Sequence, residues 1–401
     1  MTAMEKNNKT LNVPHLRFPE FSKEWEKATL QSVATLSKGT GISKDQLSEE
    51  GQPCILYGEL YTKYNSEIID TIISTTDIDP EKLVRSQAND VIIPCSGESA
   101  VDIATARCVK QSNVLLGGDL NIIRLKGEHE GSFFAYQLNG KRKYDIAKVA
   151  QGVSVVHLYG EHLKGVKVNY PSAAEQKKIS SLLALIDQRI ETQKKIIEDL
   201  KKLKDAITHS HYRNELSHSP MVYIGKYITQ VSNRNKDARI DRVLSVSNKY
   251  GFVNQDEQFE DREVASADTS NYKVVHKGDF AYNPARINVG SVARLQEFEN
   301  GIVSPMYVCF TAEKGLVPAY LELYLSTSIF KHEMNKRLEG SVRLCLTYES
   351  LCNIKIALPE FNVQRDFVSK VSDLVTKVNS EERLLCMYQK CKQYLLTQMF
   401  I

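Results

Sequence analysis

Residues 171–209, PSAAEQKKISSLLALIDQRIETQKKIIEDLKKLKDAITH, decide the fold of this chain. Pro171 and Ser172, followed by Glu175, form a helix start signal of the capping-box type. No Gly or Pro follows in this stretch, so it predicts one long helix. Its apolar residues recur in steps of four and three, with polar breaks at Gln193 and Lys204: Ile179, Leu183, Ile186, Ile190, Ile197, Leu200 and Ile207. This heptad seam requires a partner helix.

The partner helix lies in the same chain. Pro359 follows Pro171 by 188 residues, and the same offset places Gln364 on Gln176. The seam recurs at this offset as Phe367, Val371, Leu374, Val378, Leu385, Tyr388 and Leu395, with Glu381 in place of Gln193 and Lys392 in place of Lys204. The match continues upstream into the preceding segment. The sequence therefore predicts an internal repeat of a globule followed by a long helix.

The length of the helices predicts how they pair. A helix of about 37 residues is about 55 Å long, and parallel pairing would oblige the chain to travel back that distance. Antiparallel pairing requires no return, and it places Gln193 and Glu381 near the midpoint, facing each other or solvent. We therefore predict an α+β fold with two α/β globules separated by two long antiparallel coiled-coil spacer helices, related by a pseudo-twofold axis.

The same pattern predicts four consecutive regions. They are a first globule (1–170), a first spacer helix (171–213), a second globule (214–358) and a second spacer helix (359–401). The polar segment 208–221, which contains three histidines, is expected to be a solvated connector, not a metal site. Two modules of one scaffold with different loops suggest one task and two targets.

Composition excludes several classes of protein. Hydrophobic residues make up 42% and charged residues 25% of the chain, and the net charge of +3 permits nucleic-acid binding without arguing for it. The start of the chain lacks an apolar signal region, and no apolar run reaches the length of a membrane span. The eight cysteines include no C-x-x-C pair, which favours a reducing cytoplasm. Neither a P-loop nor a complete methyltransferase motif is present.

Loops rich in Ser, Gly, Lys, Arg, Asn and Tyr recur in both globules, next to the predicted strands. Such side chains suit contacts with phosphates and base edges, and two modules at a fixed separation suit a long, repetitive ligand such as double-stranded DNA. In the first globule the candidates are Ser37, Lys38, Thr40, Ser43, Lys44, Tyr57, Glu59, Tyr61, Ser96 and Glu98. In the second they are Ser232, Asn233, Arg234, Asn235, Lys236, Ser247, Asn248, Lys249, Tyr250, Asn283 and Arg286. Each loop taken alone is also compatible with a solvated turn.

The chain resembles the specificity subunits of type I restriction-modification systems. The segments 151–158 (QGVSVVHL) and 339–346 (EGSVRLCL) are similar to the G-S-x-x-x-x-L segment that closes each target recognition domain. PSAAEQKKI and PEFNVQRDF resemble the P-x-x-x-x-Q-x-x-I opening of each spacer helix, and LRFPEF resembles the entry to a recognition domain. By this resemblance Ser154, His157, Ser341 and Arg343 join the DNA-binding candidates. Val153 stands where Ser341 supplies the usual hydroxyl, and Ser154 is expected to replace it.

The resemblance implies a non-catalytic, cytoplasmic subunit for DNA recognition and defence against foreign DNA, with no cofactor or metal of its own. Such a subunit binds a bipartite, asymmetric site with an unread gap. It directs two methylating subunits, which modify adenine with S-adenosylmethionine, and motor-nuclease subunits that use ATP and Mg²⁺. The alternative from the residues alone is a non-catalytic coiled-coil scaffold with two protein-binding globules; a nuclease or methyltransferase in its own right lacks motif support.

Overall fold

The computed structural model describes residues 11–79, 81, 83–152, 154–255, 268–340 and 343–401. The chain divides into two compact units. Unit 1 contains residues 1–194 and 383–401, and unit 2 contains residues 195–382. The first long helix is Ala173–His218 and the second is Phe361–Gln398. Each unit therefore contains one part of both long helices, and the four predicted regional boundaries stay a prediction.

The first long helix continues through most of the segment 208–221, so the prediction of a solvated connector there is wrong. The helix extends to His218 because its last turns are packed into unit 2. Tyr212 is only 1% exposed, and its hydroxyl donates a 2.5 Å hydrogen bond to the carbonyl of Tyr320. Burial of this aromatic side chain outweighs the weak helix propensity of the polar segment around it.

The two long helices are antiparallel within each unit, as predicted. In unit 2 the ring of His211, from the end of the first helix, stacks on Phe367 from the start of the second, with centroids 3.7 Å apart. In unit 1 Leu396, from the end of the second helix, shares a core with Ile179 and Leu183 from the start of the first. The α+β class with long antiparallel helices is confirmed. The twofold relationship and the facing of Gln193 and Glu381 stay predictions.

The predicted seam is correct except near the carboxyl end of each helix. Ile179, Leu183, Ile190, Ile197, Phe367, Val371 and Val378 are buried, and Ile186, Leu200, Leu374, Leu385, Tyr388 and Leu395 are half-buried. Ile207, however, is 37% exposed while Thr208 is 4% exposed. In the second helix Leu396 is likewise more buried than Leu395. A straight α-helix drifts by about 20° per heptad, so four heptads move the buried line by about one residue.

Two five-stranded sheets and two strand pairs build the globule of unit 1. In order across the first sheet, the strands are Ala34–Lys38, Leu120–Leu125, Asp90–Pro94, Arg107–Val109 and Ile68–Ile69. The second sheet has Leu47–Ser48, Ser74–Thr76, Gln52–Ile55, Leu115–Leu116 and Val84–Arg85. The pairs are Glu26–Thr29 with Lys167–Tyr170, and Val156–His157 with Ser96–Gly97.

Short helices complete unit 1. They are Leu30–Val33, Glu59–Thr62, Ala100–Ile103, Gly131–Asn139, Lys143–Val149 and Gly160–Lys164, with a 3₁₀ turn at Lys44–Gln46. Gly131–Asn139 and Lys143–Val149 are separated at Gly140, where the chain leaves the helical conformation. Trp25 is buried and meets Phe133 and Phe400 edge-on, so it anchors the amino-terminal segment.

Unit 2 is built from two four-stranded sheets. The first has Ile228–Val231, Val308–Ala312, Phe280–Tyr282 and Val292–Arg294, and the second has Gly251–Asn254, Val243–Ser247, Asn300–Val303 and Lys273–His276. Met221–Tyr223 pairs with Lys355–Ala357. The helices are Pro318–Leu325, Ser328–Asn335 and Tyr348–Cys352, with 3₁₀ turns at Ile224–Lys226 and Ile287–Val289. The helix Pro318–Leu325 does not continue into Ser328–Asn335, because Thr327 caps a new helix there.

The Gln of each P-x-x-x-x-Q motif ties its long helix to the adjacent globule. Gln176 donates to the carbonyl of Pro171 and accepts a 3.0 Å hydrogen bond from the backbone N–H of Glu130. Gln364 does the same with Pro359 and with Val317, at 2.9 and 2.8 Å. Glu130 and Val317 are the amino-terminal caps of corresponding short helices. The motif is therefore a structural joint, and both Gln side chains are buried.

Candidate nucleic-acid interface

Each unit contains the same closing loop, followed by the same backbone link. In unit 1 Gln151 bridges His157, and the N–H of Leu158 donates a 2.8 Å hydrogen bond to the carbonyl of Cys95. In unit 2 Glu339 bridges Cys345, and the N–H of Leu346 donates a 3.1 Å hydrogen bond to the carbonyl of Pro284. The segments 151–158 and 339–346 therefore hold the turns that begin at Cys95 and Pro284 in equivalent places.

Both closing loops require glycine. Gly152 and Gly340 each have a φ of +121°, which L side chains rarely adopt. A Cβ would lie 2.1 Å from the carbonyl oxygen of Val155 at the first position, and 2.3 Å from that of Arg343 at the second. The glycine of the G-S-x-x-x-x-L motif thus has a backbone explanation. Without a Cβ, the loop can fold back so that the glycine lies against the carbonyl of Val155 or Arg343.

In unit 1 several residues meet at one surface, which we call the unit 1 face. It consists of Asp102, which was not predicted, and six predicted residues: Tyr57, Tyr61, Ser96, Glu98, Ser154 and His157. The Tyr61 hydroxyl donates a 3.0 Å hydrogen bond to the carbonyl of Ser96, whose own hydroxyl is 3.3 Å from Nδ1 of His157. All of these except His157 line an open cavity of about 620 Å³. The sequence had placed them in three separate loops.

Partial or complete burial keeps two groups of the unit 1 face and its base neutral. Burial raises the pKa of Cys95 to about 11, so its thiol is a neutral packing group at physiological pH. Burial also raises the pKa of Tyr61, which remains a neutral hydroxyl donor. The face therefore presents hydroxyl, carboxylate and imidazole groups on a rigid base.

The segment Ser37–Lys44 borders this face at one point. Lys38 Nζ lies 5.8 Å from the ring centroid of Tyr159, and that ring stacks on His157. Ser37, Ser43 and Lys44 are exposed, but Thr40 accepts a 2.8 Å hydrogen bond from the N–H of Val84 and so stabilises the loop. Tyr159 is 45% exposed and is a site residue that the sequence reasoning missed.

Glu59 is a correction to the predicted set. Its side chain is buried. Its carboxylate accepts a 2.9 Å hydrogen bond from the N–H of Leu56 and forms a 2.8 Å ion pair with Lys63. Ser74 donates to the same carboxylate. Glu59 therefore holds the loop that carries Tyr57 and Tyr61 and is not presented to a ligand.

In unit 2 a second set meets at what we call the unit 2 face: Ser247, Asn248, Lys249, Tyr250, Asn283, Arg286, Met306 and Arg343. A Cβ added to Gly290, in the loop after Arg286, would lie 3.6 Å from the Cβ of Asn248, so this loop approaches Asn248. Asn283 Nδ2 is 3.7 Å from the sulfur of Met306. The Pro284–Leu346 link brings the segment that follows Arg343 to the same turn. Met306 is 62% exposed and was not predicted.

The remaining predicted segment of unit 2, Ser232–Lys236, lies against residues 271–274. Arg234 bridges Lys273 and donates a 2.8 Å hydrogen bond to Asn271, while Ser232, Asn233 and Lys236 are exposed. Asn235 is a second correction, because it is buried and its amide donates to the carbonyl of Ile240 at 2.9 Å. Ser341 and Val153 lie outside the described residues.

The described ranges offer neither a metal-binding cluster nor a membrane-spanning helix. No group of three or more His, Cys, Asp or Glu side chains in them could hold a metal ion. No helix in those ranges is both long and apolar enough to cross a membrane.

Part of the chain matches a known protein family. The model of the type I restriction modification DNA specificity domain matches residues 22–202. The chain is 20% identical to the type I restriction enzyme EcoBI specificity subunit of Escherichia coli over 408 residues, covering 90% of this chain and 81% of that protein. The chain is therefore similar to type I restriction-modification specificity subunits, and residues 22–202 match their DNA specificity domain.

Solved structures of this family share the fold. The S subunit of a type I restriction-modification system from M. genitalium superposes with a TM-score of 0.59 at 17% identity, covering 97% of this chain and 99% of that one. A chain from a structural study of complex assembly and conformational transition in the type I system gives 0.54 at 12% identity, covering 94% and 97%. The two globules with long antiparallel helices are thus the fold of a type I specificity subunit.

Proposed function

We propose that this specificity subunit recognises a bipartite, asymmetric DNA site, with one half-site for each unit and an unread gap between them. The observation that carries the proposal is the pair of turns after Cys95 and Pro284. They are held by equivalent backbone links to Leu158 and Leu346, yet they carry different side chains. A shared scaffold with different exposed groups is what two different sequence readers require.

In this proposal the chain is not an enzyme. It directs two methylating subunits, which transfer a methyl group from S-adenosylmethionine to adenine, and motor-nuclease subunits that use ATP and Mg²⁺ to cleave unmodified DNA. The family match over residues 22–202 and the similarity to the EcoBI specificity subunit support this assignment. In the proposal the whole assembly acts on DNA in the cytoplasm. The small net charge of +3 fits if the methylating subunits supply much of the contact with phosphates.

The long helices act as spacers in this proposal and make no base contacts. Their joints to the globules are buried and hydrogen-bonded at Gln176 and Gln364, so the helix length is transmitted to the positions of the two faces. The width of the unread gap then follows from helix length, at about 1.5 Å per residue.

Footprinting on duplex DNA, with the full chain alone and then with its methylating subunits, tests the proposal. We expect two protected blocks separated by a gap whose sequence is immaterial, with tighter binding and a steeper salt dependence for the assembled complex. Replacing the globule of one unit with that of a relative is expected to change only one half-site. Absence of sequence-dependent protection in the assembled complex would instead favour the scaffold with two protein-binding globules.

A further inference from the structure

The two faces carry opposite charges at the equivalent turns that follow Cys95 and Pro284. The turn after Cys95 carries Glu98, whereas the turn after Pro284 carries Arg286. Both side chains belong to exposed residues, and neither has a hydrogen-bond or ion-pair partner among the residues that the structure describes. An unpaired carboxylate and an unpaired guanidinium thus occupy corresponding turns of the two units.

The charges around each turn reinforce the difference. Asp102 lines the same cavity as Glu98, and Asp119 lies within 3.4 Å of the Ser96 hydroxyl, so carboxylates gather on the unit 1 face. The unit 2 face instead presents Arg286 with Lys249 and Arg343, all of them exposed. The sign of the exposed charge therefore reverses from one face to the other.

A carboxylate on a DNA-binding face has few favourable contacts. Phosphates repel it, so it gains from DNA only by accepting a hydrogen bond from a base. In the major groove the only base donors are the amino groups of cytosine N4 and adenine N6, whereas guanine presents the acceptors O6 and N7. A free guanidinium has the reverse preference, and its two parallel N–H groups match the two guanine acceptors.

We propose that the two half-sites have opposite hydrogen-bonding character, an inference that rests on the proposed function. Unit 1 reads a cytosine or adenine amino group through Glu98, and unit 2 reads a guanine through Arg286. Tyr57, Tyr61 and Ser154 complete the cavity around the first base, and Asn248 and Asn283 flank the second. Glu98 and Arg286 are therefore specificity-determining residues.

The test is selection from a randomised pool of duplex DNA by the complex of the full chain with its methylating subunits. The variants are Glu98→Gln and Arg286→Gln. Both side chains are exposed, and their replacement leaves the backbone hydrogen bonds of each turn in place. The matched controls are Glu128→Gln and Lys277→Gln. Glu128 follows the strand Leu120–Leu125, in the same unit as Glu98. Lys277 precedes the strand Phe280–Tyr282, and Arg286 follows that strand.

We expect the unaltered complex to select a bipartite motif with a guanine in one half. Arg286→Gln is expected to relax discrimination at that guanine alone by about 5- to 150-fold, and Glu98→Gln to relax a cytosine or adenine position in the other half. Both controls are expected to select the original motif. If Arg286→Gln weakens binding equally for all sequences and lowers the salt slope by about one, Arg286 contacts phosphate and the inference is wrong.

Two further results distinguish the inference from the function on which it rests. A bipartite motif that is unchanged by both variants would overturn the inference and leave the proposed function standing. Selection of no motif at all by the assembled complex would overturn the proposed function itself.

Discussion

Lys392 Nζ lies 2.6 Å from a carboxylate oxygen of Asp187, which joins the end of the second long helix to the start of the first. The same ammonium is 2.6 Å from Glu67 of the globule, and Tyr136 donates a 2.7 Å hydrogen bond to Asp187. The cluster is largely buried beside a cavity of about 360 Å³. One cation thus ties both long helices of unit 1 to its globule.

Removing this cation is expected to destabilise the protein strongly. Lys392→Met leaves two buried carboxylates without their partner, and breaking a buried pair in this way costs about 3–5 kcal/mol in the free energy of unfolding. Lys204, 188 residues earlier, is the matched control, because its one ion pair among the described residues is with the adjacent Asp205 and its side chain is 33% exposed. Urea unfolding is expected to show a change below about 1 kcal/mol for Lys204→Met. Equal effects of the two variants would contradict the role of the cluster.

The same cluster predicts a dependence of stability on pH. Burial opposes the charge on Lys392, but Glu67 and Asp187 outweigh it and raise the pKa of the ammonium. A raised pKa contributes stability that is fully present below the ordinary lysine value of about 10.4 and is lost as the pH rises through the raised value. The difference in unfolding free energy between wild type and Lys392→Met is therefore expected to shrink above about pH 10.4. A difference that stays constant to the alkaline limit of folding would contradict the assignment.

The carboxylate Glu67 of the cluster makes stability fall at acidic pH, whereas Lys392 makes it fall at alkaline pH. Burial opposes ionisation of Glu67, but Lys392 and Arg107 outweigh it and lower its pKa. That contribution to stability is present above the ordinary carboxyl pKa and is lost as the pH falls through the lowered value. Asp187 partly offsets the loss, because burial and the charge of Glu67 raise its pKa. Unfolding free energies of Glu67→Gln are expected to fall less than those of wild type on acidification.

The closing loops are expected to tolerate no side chain at their glycines. Gly152→Ala and Gly340→Ala each force a φ of +121° on an L residue and place a Cβ within 2.3 Å of a carbonyl oxygen. We expect a loss of at least about 1–3 kcal/mol in unfolding free energy for each. Gly165→Ala is the matched control, since no atom lies within 4 Å of its added Cβ. Thermal unfolding measures the effect. A loss of stability in Gly165→Ala as large as in Gly152→Ala and Gly340→Ala would contradict the account.

The spacer role predicts an effect of helix length on the DNA site. Inserting about one heptad into each long helix preserves the buried line while lengthening the pair by about 10 Å. Selection from randomised duplexes is expected to return both original half-sites with a wider gap. If either half-site changed while the gap did not, the helices would not be acting as spacers.

Much of the fold was predictable because it depends on periodic patterns and on a repeat. The seam and the antiparallel pairing of the long helices follow from residue order alone. The extension of the first helix to His218 was not predictable, because it depends on Tyr212 packing against residues more than 100 positions away. The shift of the buried line from Ile207 to Thr208 required the geometry of a straight helix as well as the heptad.

The candidate site was predictable as a set of loops, but its assembly was not. Tyr61, Ser96 and His157 come from three separate segments, and only the fold brings their polar groups within hydrogen-bonding distance. Glu59 and Asn235 could not be distinguished from their exposed neighbours, because polar residues that support a turn have the same composition as residues that face a ligand. Met306 and Tyr159 lay outside every motif.

Sequencing of DNA methylation in a host that expresses this chain with its methylating subunits tests the central claim most directly. We predict one motif, present only when this chain is expressed, with two different half-sites at a fixed spacing and no base preference in the gap. A single contiguous motif, or methylation that is the same with and without this chain, would contradict the account.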